Sequence, residues 1–233
     1  PDQTDKLFAE LRHSLHSIEA EQIGRVNALT EEAYQVTESI AGALGSVGIS
    51  LDSASGETGI GGPLVAPNES QLFDTRIREL DEALDRLDTL KAKASALPLR
   101  NPAPGTAVSS RFGLRRDPLL GTAAHHSGVD FRAPTGSPAR ATAPGTVVKA
   151  GWYGGYGRMV EVDHGNGITT RYGHLSRIMV KVGEKVATGT TLGRTGSSGR
   201  STGPHLHYEI RRDGKAVNPL AFIKAGKRIS QYL

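Results

Sequence analysis

The chain of 233 residues contains no cysteine, and this absence excludes disulfide bonds and thiolate metal sites together. Any metal site must therefore be built from histidine and carboxylate side chains. The absence is compatible with an oxidising envelope compartment but does not establish one. Long apolar runs are also missing, since no stretch approaches the roughly 20 apolar residues of a membrane span. Because the chain begins with Pro1 rather than Met, we expect it to be a processed form.

Aromatic residues make up 5% of the chain, and the only tryptophan, Trp152, lies in the second half. Charge is divided in the same way. Residues 1–100 hold 17 acidic and 9 basic residues, a net charge of −8, whereas residues 101–233 hold 7 and 19, a net charge of +12. These two compositions predict two domains with those bounds. The basic half should favour an anionic partner, and nucleic acid is the weaker choice because the basic residues are scattered.

The first domain predicts two long helices separated by a loop. In residues 2–47, apolar side chains recur at steps of three and four, which is the repeat of a coiled coil. Residues 49–68 are rich in Gly, Ser and Pro and predict a long loop, after which the helical repeat returns over 69–97. We interpret residues 1–100 as an antiparallel helical hairpin or coiled coil, closed within the chain or by a second chain.

The second domain begins after a proline-rich boundary at residues 97–105, where the sequence changes to short β runs separated by glycine. The runs predicted as strands are 145–150, 158–163, 168–172, 178–182, 191–194 and 205–211. The predicted fold class is therefore α+β in separate domains, with a helical arm followed by a mainly antiparallel β-sheet domain.

Five residues of the second domain form a candidate site. His205 and His207 are two apart in an alternating run, so they should lie on one face of a strand. His126 and Asp130 are four apart around a glycine, which lets the backbone turn so that both side chains converge. His174 stands alone in a Tyr-Gly-His-Leu-Ser segment.

Catalytic zinc without thiolates is held by three histidine or carboxylate ligands, with a position left for water. His126, Asp130 and His207 offer such a set, which leaves His205 and His174 as base and as stabiliser of a tetrahedral intermediate. Each piece alone has a plainer explanation, such as a surface hydrogen bond for the His/Asp pair or a buried turn histidine for His174. Their occurrence together in one glycine-rich β domain is what favours a site.

Residues 109–220 resemble the lysostaphin-type zinc metalloendopeptidases, which cut peptidoglycan cross-bridges and stem peptides. The matching segments, among them His-Ser-Gly-Val-Asp-Phe and Gly-Pro-His-Leu-His-Tyr-Glu, follow the order of the family and lie at residues 110–115, 126–131, 143–147, 163–167, 172–176 and 201–209. The resemblance implies that His126, Asp130 and His207 bind zinc and that His174 and His205 are the catalytic pair. No motif position is degenerate, whereas some family members lack ligands and serve only as activators.

The resemblance therefore implies a zinc-dependent endopeptidase that hydrolyses amide bonds of peptidoglycan during cell-wall growth or division. We expect a periplasmic or envelope location, with a membrane anchor outside this chain. The coiled-coil arm is expected to bind protein partners, to self-associate or to cover the groove of the basic domain. The last idea predicts that residues 101–233 alone digest wall material faster than the full chain.

The sequence also allows two other functions. A non-enzymatic wall-binding or activator protein would need no intact ligand set, so the five residues argue against it. A biotin- or lipoyl-type carrier domain is suggested by residues 182–193, but the run has no obvious lysine for modification at a hairpin tip.

Several other residues are weaker candidates for a role in or near the site. His125 should face away from the site, and His164 should shape a hairpin turn. Tyr153 and Tyr156 could line the groove as aromatic contacts. Arginines that could dock substrate carboxylates are Arg111, Arg115, Arg116, Arg158, Arg171, Arg194 and Arg200.

Overall fold

The structure, a computed structural model, describes residues 2–49, 69–116 and 121–233, with side chains described from residue 72 onward in the second range. The described residues form two compact units. The first contains the chain up to Gly42 and the second helix as far as Lys91; the other contains residues 43–49 and everything from Ala92 onward. The predicted loop at 49–68 lies, apart from Ile49, outside the described residues.

Two long helices dominate the first unit, α1 (Gln3–Gly45) and α2 (Glu69–Ser95). Both lie within the stretches predicted as helical. Helix α1 ends at Gly45. Three residues later, Gly48 adopts a left-handed conformation with φ of 71°. None of the helices in the described residues is long and apolar enough to span a membrane.

The buried positions of the two helices recur at steps of three and four, as in a coiled coil. They include Ala33, Thr37, Ile40 and Leu44 in α1, and Ala83, Leu87, Leu90 and Ala94 in α2. The prediction of two long helices is therefore confirmed. The antiparallel orientation of the two helices stays a prediction.

The second unit is built on an antiparallel sheet. Its strands are β1 (Ala107–Ser110), β2 (Gly113–Arg116), β3 (Ala123–His126), β4 (Val129–Arg132), β5 (Pro138–Arg140), β6 (Gly145–Trp152), β7 (Arg158–Asp163), β8 (Ile168–Ile178), β9 (Lys185–Val186), β10 (Thr191–Thr195), β11 (Leu206–Arg212) and β12 (Lys215–Val217). The order is β1-β4-β11-β8-β7-β6-β9, with β10 on β5 and β8, and β12 on β11. Strands β2 and β3 form a separate ribbon.

The prediction of a mainly antiparallel β domain is confirmed, but one predicted strand is wrong. Strand β8 ends at Ile178, and the residues up to 182 form a loop. Met179 and Val182 are 48% and 60% exposed there. The run is rich in residues that favour strands, yet a strand needs a partner and a covered face, and this segment has left the sheet.

Large apolar side chains and a buried polar cluster form the core of this unit. Fully buried residues on the central strands include Phe131, Tyr172, Leu175, Leu206 and Tyr208. The hydroxyls of Tyr172 and Tyr208 both meet the Thr142 hydroxyl, at 3.1 and 2.9 Å, so the two phenols are buried without loss of hydrogen bonds.

A short helix, α3 (Pro219–Ile229), packs against β11. It begins where the Asn218 side chain accepts a hydrogen bond from the Leu220 amide, with proline at the first helical position. Arg212, at the end of β11, donates to the carbonyls of Val47 and Gly48, which belong to the same unit.

Candidate active site

Strand register places the predicted site residues side by side. On the adjacent strands β4, β11 and β8, His207 pairs with Asp130 on one side and with Gly173 on the other. His174 follows Gly173 directly, and His126 ends β3 just before the chain turns into β4. The pairing of these strands therefore sets the backbone positions of the site residues.

Three of these side chains converge on one point. His126 Nε2 and His207 Nδ1 lie 3.2 Å apart. Asp130 Oδ1 lies 3.2 Å from the first nitrogen and 2.9 Å from the second. All three residues are buried, and each offers one ligand atom to the same cluster.

Hydrogen bonds on the outer side of the His126 and His207 rings determine which ring nitrogens face the other ligand atoms. His126 Nδ1 lies 2.9 Å from the Arg111 carbonyl, and His207 Nε2 lies 3.1 Å from a Glu209 carboxylate oxygen. Both partners only accept, so these nitrogens carry the protons. The two inward nitrogens face Asp130 Oδ1. They donate to this carboxylate when they are protonated, and without those protons they offer two lone pairs beside it, which is an arrangement suited to a cation.

The dimensions also fit zinc. Ligand atoms about 2.0–2.1 Å from a tetrahedral zinc ion lie about 3.3 Å from one another. The separations of 2.9–3.2 Å within the triangle of His126, Asp130 and His207 come close to that value. The residues present could therefore hold zinc with little movement.

Two further histidines lie beside this triangle. The ring centroids of His174 and His205 are 4.7 Å apart, and His205 Nε2 lies 3.7 Å from Asp130 Oδ1. His174 Nδ1 donates to the Ser198 carbonyl and His205 Nδ1 to the Gly203 carbonyl, each at 2.8 Å. When either ring is neutral, its Nε2 is left as the acceptor. His174 adopts a φ of 59°, an unusual conformation for a residue other than glycine.

Charge in the site is set by burial and by close partners. Burial opposes ionisation of Asp130, but hydrogen bonds from His126 and His207 lower the pKa of this carboxyl well below its usual range. Burial also opposes ionisation of Glu209, and its bonds with His207 and Ser127 bring the pKa to about 2. His174 behaves differently, because burial lowers its pKa to about 4 and keeps the ring neutral at pH 7.

A groove of about 620 Å³ runs past these residues. Its wall includes Tyr156, which lies on a single turn of 3-10 helix at Gly154–Tyr156, and the arginines Arg115, Arg132 and Arg200. Of the arginines considered from the sequence, Arg115 and Arg200 line the groove. Arg171 instead bonds Glu161 at 2.8 Å.

Some candidates lie outside the groove wall. His125 is exposed, and its ring meets Phe112 edge-on at 5.0 Å. His164 bonds the Pro144 carbonyl at 2.7 Å and the Thr170 hydroxyl at 2.8 Å, which agrees with a role in shaping its turn. Tyr153 does not line the groove, although Tyr156 does.

The sequence reasoning missed Arg132 and Glu209. A signal existed for both, because each lies two residues beyond a predicted ligand on the same strand and therefore shares its face. Arg132 follows Asp130 on β4, and Glu209 follows His207 on β11. The contacts of Ser127 with Glu209 had no such signal, since they depend on how the turn before β4 folds.

Comparison with known proteins identifies this domain. Residues 124–219, which contain all five predicted site residues, match the model of peptidase family M23. The C-terminal domain belongs to peptidase family M23. The resemblance to lysostaphin-type peptidases is thereby confirmed at the level of the family.

Curated relatives match about half of this chain. DD-carboxypeptidase/endopeptidase Mpg of Neisseria meningitidis is 48% identical over 120 residues, which span 52% of this chain and 28% of that protein. Peptidoglycan DD-endopeptidase ShyA of Vibrio cholerae is 41% identical over 133 residues, which span 54% of this chain and 31% of that protein. The chain thus spans about a third of the length of these relatives.

Solved structures are also similar over about half of this chain. A zinc-containing peptidase from Vibrio cholerae is 32% identical with a TM-score of 0.49, covering 52% of this chain and 38% of that chain. The catalytic domain of lysostaphin from Staphylococcus simulans is 34% identical with a TM-score of 0.47, covering 51% of this chain and 92% of that chain.

Proposed function

We propose that the chain is a zinc-dependent endopeptidase that hydrolyses amide bonds in peptidoglycan stem peptides or cross-bridges during cell-wall growth or division. The observation that carries the proposal is the convergence of His126, Asp130 and His207 beside His174 and His205 in one groove. The substrate class is supported by membership of family M23 and by relatives named as peptidoglycan DD-endopeptidases.

In this proposal His126, Asp130 and His207 hold zinc, which when bound supplies a Lewis acid that polarises a carbonyl and lowers the pKa of water toward neutrality. His174 and His205 move the protons. Each presents Nε2 as an acceptor while neutral and becomes a donor once protonated. The pair can therefore take a proton from the attacking water and return one to the leaving amine. The backbone carbonyls at Ser198 and Gly203 keep both rings turned toward the groove.

The direct test is digestion of defined muropeptides with mass analysis of the products, together with metal analysis of the purified chain. We expect about one zinc per chain and cleavage at a single type of peptide bond. His126→Ala should lose both, whereas His125→Ala, which alters the exposed neighbour, should keep both. A parent chain without zinc, or a His126→Ala variant that digests wall as the parent does, would favour the non-enzymatic wall-binding or activator role.

The helical arm supports proposals about partners. The N-terminal part of α1 exposes apolar side chains at coiled-coil spacing, with Phe8, Leu11, Leu15 and Ile18 all 50–58% exposed. We infer that this stripe binds a second chain, either a protein partner or another copy, and light scattering of the parent against Leu11→Glu tests the second possibility. Peptidoglycan as substrate also implies a location at the cell envelope, and a membrane anchor beyond this chain stays a prediction.

Regulation by the arm is tested by comparing the full chain with residues 101–233. That fragment lacks residues 43–49 and 92–100, which belong to the same compact unit as the β domain. Its folding must therefore be checked before its rate of wall digestion is compared. A faster fragment supports an inhibitory arm, and equal rates contradict it.

A further inference from the structure

Glu209 is completely buried directly behind His207. The residue lies on β11, two positions after His207, so both side chains leave the same face of the strand. One carboxylate oxygen, Oε1, lies 3.1 Å from His207 Nε2. The only buried carboxylates in the described part of the chain are Asp130, Glu161 and Glu209.

The carboxylate of Glu209 is held from several elements at once. Oε1 accepts from the Ser127 hydroxyl, in the turn before β4, and from the Tyr156 hydroxyl at 2.9 Å. Oε2 accepts from Arg211 at 2.6 Å, and the Arg171 guanidinium lies 3.9 Å away. A buried carboxylate with this many donors has one well-defined orientation, because any rotation would break charge-assisted hydrogen bonds.

This orientation determines which nitrogen of His207 faces the triangle. A carboxylate accepts but does not donate, so His207 Nε2 carries a proton toward Glu209, and Nδ1, which faces Asp130 Oδ1 at 2.9 Å, is the nitrogen left to bind a metal. The other tautomer would place the proton on Nδ1, where Asp130 Oδ1 at 2.9 Å would accept it, and that nitrogen could then not bind a metal. We propose that Glu209 is a positioning residue that fixes the tautomer and ring orientation of His207 for metal binding, and that it ties the Tyr156 groove wall to the same carboxylate.

The inference rests on the metal site of the proposed function but not on the reaction. Tyr156 connects the two parts, because its hydroxyl donates to Glu209 and receives a hydrogen bond from Arg171 at 3.3 Å. The Tyr156 ring also lies 5.7 Å from the His207 ring, centroid to centroid. A shift of the Glu209 carboxylate therefore reaches both a proposed ligand and the wall of the groove.

Glu161 provides a matched control. It is also buried, at 6% exposure, and accepts from Arg171 at 2.8 Å and from Lys149 at 3.1 Å. It lies on β7, with β8 between it and Glu209, and its recorded partners include none of the proposed metal ligands. Glu161→Gln removes the same charge from the same arginine without touching His207.

The experiment measures the zinc dissociation constant of the full chain by competition with a chromophoric chelator, and the visible spectrum after Co²⁺ substitution. Loss of a hydrogen-bond partner behind a metal-bound histidine typically weakens metal affinity about 10- to 100-fold. We expect a weakening of roughly tenfold or more, with altered Co²⁺ bands, for Glu209→Gln, and a change of less than about twofold for Glu161→Gln. Parent-like zinc binding in Glu209→Gln, or equal losses in both variants, would overturn the proposal.

A second measurement needs no variant and covers the case in which Glu209→Gln does not fold. Long-range ¹H–¹⁵N correlation spectra of the zinc-loaded parent report which ring nitrogen of each histidine carries a proton. We expect His207 to be protonated at Nε2, and a proton on Nδ1 would refute the proposal. These readouts are independent of catalysis. A parent that binds zinc but cleaves no muropeptide would refute the proposed function and leave the role of Glu209 intact.

Discussion

His174 and His205 lie with ring centroids 4.7 Å apart, and each is held by a backbone carbonyl at 2.8 Å so that Nε2 faces the groove. Neither belongs to the triangle of His126, Asp130 and His207. The structure therefore separates a pair suited to proton transfer from a set suited to metal binding. That separation can be tested by asking which property each histidine controls.

We expect His174→Ala and His205→Ala to lower kcat for a defined muropeptide by about 10²- to 10⁴-fold each, because each removes a group that transfers protons. Zinc content should stay near that of the parent, and His125→Ala should keep both kcat and zinc. Metal analysis beside steady-state kinetics checks the prediction. If either site variant lost its zinc, the fall in kcat would reflect metal loss and the division of roles would be wrong.

Gly128 leaves no room for a side chain between β3 and β4. A Cβ added there would lie 2.8 Å from His207 Cε1 and would also meet the Tyr208 carbonyl oxygen. Overpacking of this kind costs about 1–3 kcal/mol, and we expect Gly128→Ala to weaken zinc binding roughly 10- to 100-fold.

The control for this substitution is Gly24→Ala in α1, where an added Cβ meets nothing within 4 Å. Alanine favours the helix there by about 0.5–1 kcal/mol, so the variant should melt no lower than the parent and should bind zinc equally. Chelator competition on both variants decides the matter. Parent-like zinc affinity in Gly128→Ala would show that the strands can separate without moving His207.

Arg132 is exposed at the groove wall, and no acceptor is recorded for its guanidinium among the described residues. Arg115 also lines the groove, but its Nη2 lies 3.8 Å from an Asp130 oxygen. Arg132 is therefore the better candidate to receive a substrate carboxylate. A partly exposed pair of this kind is worth about 1 kcal/mol, or roughly fivefold in affinity.

We expect Arg132→Gln to raise KM roughly fivefold for a muropeptide with a free carboxylate and to leave KM for the amidated peptide unchanged. The difference should shrink in high salt, since exposed charges are screened. Arg177→Gln, which removes a charge outside the groove wall, should affect neither substrate. Equal KM changes for both peptides would exclude recognition of the carboxylate by Arg132.

Local patterns carried most of the information that the sequence held. The helices were predicted from apolar periodicity and glycine stops, and the convergence of His126, Asp130 and His207 from alternation and a glycine turn. What depended on distant contacts was not available. The exit of the chain from the sheet after Ile178 is set by tertiary packing.

Glu209 illustrates the limit within the site. A single glutamate in a strand cannot be assigned a role until its burial and its hydrogen-bond donors are known, even though it lies two residues from His207. Its partners Ser127, Tyr156 and Arg171 come from three separate segments of the chain. No spacing rule connects them, because only the folded sheet and its loops bring them together.

His164 makes the stability of the β domain depend on pH. Its Nδ1–H donates to the Pro144 carbonyl, while Nε2 accepts from the Thr170 hydroxyl, and burial lowers its pKa below the usual 6.5. Because the unfolded chain binds this proton more readily, the contribution of His164 is fully present above about pH 6.5 and is lost as the pH falls through the lower folded pKa.

We therefore expect the parent to lose more stability than His164→Gln when the pH is lowered from about 7.5 to about 5, although the variant is the less stable protein at neutral pH. Urea unfolding followed by the fluorescence of Trp152, the only tryptophan, reports on the unit that contains His164. The metal ligands contribute equally to the pH dependence of unfolding in the parent and in His164→Gln, so their contributions cancel in the difference. His125→Gln, which changes an exposed histidine, should keep the pH dependence of the parent, and so would His164→Gln if the prediction were wrong.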